Sequence, residues 1–265
     1  MSDADVMTEA EAIAAAFIAA RRQARALGDY PGNPPTTLEA AYQIQDAALR
    51  LDGGSVTGWK VGRIPPPLDK KFGTTRLFGP IFAGLVHPVS PRRDVPVFAS
   101  GFAAVEAEFL FQLGEVSGRT SWSITDALAC VTAVHIGFEI ASSPFVKINK
   151  MGPTVTASDF GNNNGLLVGP ALADWQNVGI DEMQVTTRID GVIVGTGQAA
   201  SFLGGCGGSI ALLLENLALR GIAVAPGTWV STGAVTGVHE ISPGSIATAA
   251  FGDLELIACR IVAAA

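Results

Sequence analysis

The hydrophobic period of this chain changes once, at Gly53-Gly54, and that change constrains the fold more than any other feature. Before it, apolar residues recur at helical intervals: Ile13, Phe17 and Ala24, then Leu38, Ala41, Tyr42 and Leu49. Each run follows capping-box spacing, Thr8-Glu9-Ala10-Glu11 and Thr36-Thr37-Leu38-Glu39, in which a hydroxyl and a carboxylate satisfy N–H groups of the first turn. Two helices are expected, one ending at Gly28 and one at Gly53-Gly54, joined by a Pro/Gly/Asn connector at 30–35. After Gly54 the period is two, with strand-like runs at 56–61, 105–111, 136–140, 165–168, 185–189 and 192–194. The last two flank Asp190-Gly191, a hairpin signal because both central positions of a type I′ turn need positive φ. Two further helices interrupt, one after Ser123-Ile124-Thr125-Asp126 and one at about 209–219. The class is α+β, with a helical segment at 1–53 and a β-rich body at 54–265.

Composition narrows the function. With 24 acidic and 17 basic residues the net charge is −7, which excludes a sequence-independent nucleic-acid binder. The one basic cluster, Arg21, Arg22 and Arg25, reads as a solvated helix face. No apolar run is long enough to span a membrane, and the opening Met1-Ser2-Asp3-Ala4-Asp5 is acidic where a secretory leader would be basic. Cys130, Cys206 and Cys259 are odd in number and far apart, which suits a reducing cytoplasm and neither disulfides nor a thiolate metal site. A soluble cytoplasmic protein is expected.

The segment Ala104-Val105-Glu106-Ala107-Glu108-Phe109-Leu110-Phe111 carries the chemistry. On a strand Val105, Ala107, Phe109 and Phe111 share an apolar face, while Glu106 and Glu108 point together from the other, their Cα atoms roughly 7 Å apart. An isolated pair of this kind reads as a solvated face. A third acid, Glu139, stands in the otherwise apolar run Ile136-Gly137-Phe138-Glu139-Ile140, on the face of His135 and Gly137. Three carboxylates brought to one point repel, and a bound cation resolves the conflict. Oxygen donors without a His or Cys cluster suit Mg²⁺ or Mn²⁺. Three carboxylates with one divalent ion remain net anionic, so an anionic substrate needs a further cation. Lys60, between glycines in Gly58-Trp59-Lys60-Val61-Gly62, is the best candidate: the glycines leave room for a ligand, and burial would lower the lysine pKa.

Other signals are weaker. Gly195-Thr196-Gly197-Gln198-Ala199-Ala200, with Glu215 downstream, imitates a dinucleotide fingerprint, but its strand closes a hairpin and the Gly204 to Gly208 run does not read as the continuous helix that would hold a pyrophosphate. His87, His135 and His239 are scattered and read as structural.

Taken together, these residues resemble the fumarylacetoacetate hydrolase superfamily, in its branch of 2-oxopent-4-enoate hydratases and 2-oxo-3-hexenedioate decarboxylases. The resemblance rests on the paired N-terminal helices, Gly58-Trp59-Lys60-Val61-Gly62, Phe78-Gly79-Pro80, Glu106-Ala107-Glu108, Glu139, the stretch 165–170, Thr232-Gly233 and Pro243-Gly244. It implies a mixed β-roll or β-sandwich body, Mg²⁺ or Mn²⁺ held by Glu106, Glu108 and Glu139, Lys60 as the active-site lysine, and Thr232-Gly233 beside the substrate. The implied reaction is addition of water to a 2-hydroxy-2,4-dienoate to give a 4-hydroxy-2-oxo acid in aromatic catabolism, by a cytoplasmic homo-oligomer. The alternatives are decarboxylation of a 2-oxo-3-hexenedioate, C–C hydrolysis of a diketo acid, or a metal-stabilised scaffold without activity. Three departures bear on the choice: Arg76-Leu77-Phe78-Gly79 lacks the acid that hydratases of this type usually carry before Phe-Gly, Leu203-Gly204-Gly205-Cys206 replaces Leu-Gly-His-Pro, and Ser158-Asp159-Phe160-Gly161-Asn162 only approximates Ala-Asp-Asn. Without the acid, Arg63, Arg76 or Lys147 is available to hold a second substrate carboxylate.

Overall fold

Thr8 caps the first helix, α1 (Glu9–Arg22), with a complete capping box: Glu11 N donates to Thr8 Oγ1 (3.3 Å) and Thr8 N donates to Glu11 Oε2 (2.8 Å). The computed structural model describes residues 7–89, 92–254 and 256–265, so the acidic opening at 1–5 lies outside the described residues. Helix α1 stops well before Gly28 because Ala24 turns left-handed (φ 47°) and Arg25 N folds back to the Ala20 carbonyl (2.9 Å). In α2 (Leu38–Asp52) the cap is Thr37, one residue later than the spacing suggests, and Gly53 at φ 70° ends it.

Among the described residues, thirteen strands form two sheets. The larger contains β1 (Val56–Arg63), β2 (Arg76–Phe82), β3 (Val86–Pro88), β5 (Phe102–Leu113), β6 (Val131–Ser143), β7 (Asn163–Ala171) and β10 (Trp229–Ser231), in the order β2-β1-β10-β5-β6-β7-β3, with β11 (His239–Glu240) also paired to β5. The smaller contains β4 (Arg93–Val97), β8 (Val185–Ile189), β9 (Val192–Gly197), β12 (Ile246–Phe251) and β13 (Ile257–Ala263), in the order β4-β13-β12-β8-β9. Both are mixed: β1 with β10 and β4 with β13 run parallel. The sheets pack across an apolar interior, where Phe109 of β5 meets Phe251 of β12 edge to face at 5.3 Å. The remaining helices are α3 (Leu68–Phe72), α4 (Ile124–Ala129), α5 (Pro153–Ser158) and α6 (Gly205–Leu219). The β8–β9 turn has Asp190 and Gly191 at φ 51° and 83°, as the hairpin signal requires.

Two expectations are corrected. Helix α6 begins at Gly205, so the glycine run is its first turn and the helix after β9 does exist. Its N-terminus is occupied by the chain itself, since Cys206 N donates to Asp181 Oδ1 (3.1 Å), and a Cβ at Gly205 would lie 1.9 Å from Asp181 Oδ2. The glycines serve close packing there. Arg21, read as part of a solvated face, instead reaches from α1 into the body, donating to both carboxylate oxygens of buried Asp159 (2.6 and 3.0 Å) and to the Ser142 and Asn163 carbonyls. Replacing Arg21 with Met leaves Asp159 charged and buried, so the expected loss of stability is about 3 kcal/mol by urea unfolding. A loss under about 0.5 kcal/mol, the surface-substitution range, would show that the pair is not what joins helix to body. No helix among the described residues is long and apolar enough to cross a membrane.

Candidate active site

Strand register assembles the three acids. On β5, Glu106 and Glu108 are two residues apart and share a face; across the antiparallel β5–β6 ladder Glu106 stands directly opposite Glu139. Ligand oxygens from Glu106, Glu108 and Glu139 lie within 4.8 Å of one another, and all three residues are buried. Glu108 Oε2 accepts from Gly233 N (2.9 Å) and from Ser231 Oγ, while Glu139 Oε1 accepts from Asn163 Nδ2 (3.0 Å). The other oxygens, Glu108 Oε1 and Glu139 Oε2, are buried without any partner. Orphaned carboxylate oxygens facing like charges are the observation that tests for a cation, and an all-oxygen donor set fits a hard divalent ion.

Lys60 Nζ lies 3.1 Å from Glu139 Oε1 and 3.4 Å from Asn162 Oδ1, on a residue only 3% exposed. Its flanking glycines do not make the room expected of them: a Cβ at Gly58 would strike the Trp229 carbonyl (2.6 Å), and one at Gly62 would press on Leu77 Cδ1 (3.0 Å). Gly79 and Gly161 clear the path instead. Gly79 pairs with Lys60 across β1–β2, a Cβ there would lie 2.0 Å from the Phe160 carbonyl oxygen, and one on Gly161 would lie 2.9 Å from Lys60 Cδ.

The electrostatics follow from burial. Burial pushes the Glu106 carboxyl up to about 7, Lys60 opposing and Glu139 reinforcing the rise; burial and then its two acidic neighbours hold Glu108 well above the usual carboxylate range. Burial does pull Lys60 down, as expected, but Glu139, Glu106 and Glu108 outweigh it and raise the ammonium pKa above its ordinary value. The lysine is a held cation.

A cavity of about 670 Å³ opens beside this cluster, with Lys60, Glu106 and Asn162 on its lining and Leu77, Phe102 and Phe202 adding apolar wall. Arg63, Arg76 and Gly233 line it too. Thr232 does not: its buried hydroxyl donates to the Phe109 carbonyl (3.0 Å), so only the glycine of Thr232-Gly233 meets the cavity. Lys147 is elsewhere, half exposed and 3.5 Å from Asp29. His135 and His239 pair with the Gly169 carbonyl (3.0 Å) and Thr236 Oγ1 (3.1 Å). Asn163 and Ser231, which hold Glu139 and Glu108, are site residues that stand outside every motif above. Asn163 follows a turn in which Phe160, Gly161 and Asn162 all take positive φ, and the Asn/Gly run there was the signal available.

No protein-family model matches the chain. The chain is 25% identical over 262 residues to the 4-oxalocrotonate decarboxylase of Pseudomonas putida, covering 97% of each. It is 22% identical over 206 residues to the 2-keto-4-pentenoate hydratase of Burkholderia vietnamiensis, covering 77% of this chain and 78% of that one. The solved structure of 4-oxalocrotonate decarboxylase from Pseudomonas putida G7, complexed with magnesium and adipate, superposes with a TM-score of 0.81 at 22% identity, covering 96% and 97% of the two chains. The chain's relatives in sequence and its neighbours in structure agree with the resemblance to the fumarylacetoacetate hydrolase superfamily. Its two-sheet body with helices at 9–22 and 38–52 is the fold of that superfamily, as the resemblance implies.

Proposed function

We propose that this protein is a divalent-metal-dependent lyase of the superfamily it resembles, acting on a 2-oxo acid, with loss of CO₂ from a 2-oxo-3-hexenedioate ahead of hydration of a 2-hydroxy-2,4-dienoate. The observation that carries the choice is Leu77. It stands on the cavity wall over Gly62, where hydration would need an acid to position water. Decarboxylation needs no activated water. The decarboxylase relatives, at 25% and 24% identity, support the same order.

Glu106, Glu108 and Glu139 would hold Mg²⁺ or Mn²⁺, which supplies Lewis acidity to the carboxylate and 2-oxygen of the substrate. Lys60 would carry the positive charge that the anionic substrate requires, held in place by Glu139 and Asn162. As the C–C bond to the departing carboxylate breaks, its electron pair passes along the conjugated chain to the 2-oxygen, and Lys60 Nζ returns a proton to the carbon chain. Leu77, Phe102 and Phe202 keep water from the wall along which that chain lies. Hydration remains the second reading because Glu240, exposed and at the cavity lining, is one further carboxylate able to position water.

With Mg²⁺ present, the expected result is CO₂ release from 2-oxo-3-hexenedioate, no water addition to 2-hydroxypenta-2,4-dienoate, and little effect of Glu240→Gln. Water addition to the dienoate without CO₂ release, abolished by Glu240→Gln, would install the second reading instead.

A further inference from the structure

The β1–β2 ladder ends on two arginines placed directly opposite each other, Arg63 and Arg76. Like charges across a ladder destabilise it, and here one of them is buried: Arg76 is only 3% exposed. Its hydrogen bonds go to neutral acceptors, Ser209 Oγ (3.3 Å) and the Thr75 carbonyl (3.3 Å), and its guanidinium stacks on the Phe202 ring at 5.4 Å. Among the described residues neither arginine forms an ion pair. Burial first, and then Arg63, pulls the Arg76 pKa below its ordinary value, so the protein itself leaves this charge under-compensated. Both side chains line the cavity that holds Lys60 and Glu106.

We propose that Arg76, assisted by Arg63, is the specificity-determining anion anchor of this cavity and selects 2-oxo acids that carry a second, distal carboxylate. A planar guanidinium held by Ser209 and by stacking on Phe202 presents its remaining N–H groups as a fixed fork, the geometry that carboxylates take in preference to a lysine. Register sets the span. Lys60 pairs with Gly79 and Arg63 with Arg76, three residues further along the same strands, so the anchor lies roughly 10 Å from the lysine backbone. Three residues is an odd step, so the two side chains leave opposite faces of the strand pair, yet both line the cavity, and a diacid of about six carbons is comparable in length to the backbone interval between them. Arg63, exposed at the same lining, adds charge at the mouth, while Arg76 gives the directed contact. This inference rests on the 2-oxo acid reading of the site, and the experiment separates the two.

Titration calorimetry of the Mg²⁺-loaded protein compares 2-oxoadipate with 2-oxohexanoate, which differ in the distal carboxylate. The expected result is that 2-oxoadipate binds at least about tenfold tighter, in line with a charge-assisted bidentate pair. Arg76→Leu removes the preference, because 2-oxoadipate loses at least about tenfold more affinity than 2-oxohexanoate, which has no distal carboxylate to lose. Arg76→Lys, which keeps the charge and is the variant to use should the leucine protein fail to fold, loses at least about threefold of the preference because the fork is gone. Equal affinities in the unmodified protein, or a preference that survives both substitutions, would overturn the anchor and leave the 2-oxo acid reading intact. Binding of neither compound with Mg²⁺ present would overturn that reading and the anchor with it.

Discussion

Replacing Lys60 with methionine is expected to lower kcat by about 10³-fold while the protein still folds and still binds Mg²⁺. The two halves of that expectation come from the same geometry. Lys60 Nζ sits 3.1 Å from Glu139, inside the cavity and beside the position where negative charge would gather on the substrate, so its loss removes both a counter-charge and a proton. Its ammonium also repels a cation held by Glu106, Glu108 and Glu139, so Mg²⁺ binding to the variant should be unchanged or tighter by calorimetry. Lost activity accompanied by lost Mg²⁺ binding would mean that the lysine merely keeps the carboxylates in place. Activity within about tenfold of the original would remove it from the chemistry altogether.

Glu108→Gln should separate stability from function. Burial and its two acidic neighbours favour the protonated form of Glu108 in the metal-free protein, where a neutral amide of the same shape costs little and removes a source of repulsion. The variant is expected to keep or raise its Tm in EDTA and to lose at least about 100-fold in Mg²⁺ affinity, with turnover falling alongside. The pH dependence has a definite sign. Glu106 holds its proton up to about 7 when folded and metal-free, above the ordinary carboxylate value of the unfolded chain. The native state therefore binds more protons than the unfolded one between those values, so stability is present at low pH and lost as pH rises through about 7. In EDTA the Tm of the unmodified protein should fall from about pH 5 to about pH 7, Mg²⁺ should flatten the profile, and Mg²⁺ affinity should rise over the same range as protons are displaced. A Tm that rises with pH in EDTA would contradict the electrostatics of the cluster.

The acids were legible in the chain because strand alternation is strict. Glu106 and Glu108 had to share a face, and an acid in the apolar run around Glu139 had to have a reason to be there. Helix starts were legible for a similar reason, since the Thr8 cap is a local hydrogen-bond pattern. The end of α1 was not: nothing in the alanine-rich run marks Ala24 as the left-handed residue, and Asp159, the partner that takes Arg21 out of solvent, lies far along the chain. The glycines beside Lys60 are likewise decided by distant chain. Whether a glycine faces a ligand or another backbone depends on the neighbouring strand, and for Gly58 that neighbour is β10, which follows it by most of the chain length.

By itself the sequence determined the residue types and their local faces: two capped helices, an α+β body, and a pair of acids that share one strand face with no cysteine or histidine cluster, because these depend on backbone period alone. Tertiary structure decided everything that depends on register between distant strands. It placed Glu106 opposite Glu139, turned Thr232 away to the Phe109 carbonyl, left Lys147 on the surface, and set Arg76 against Arg63 at the cavity. The physical reason is that a strand's period fixes which face a side chain takes, whereas the neighbour it meets there is chosen by pairing across the sheet.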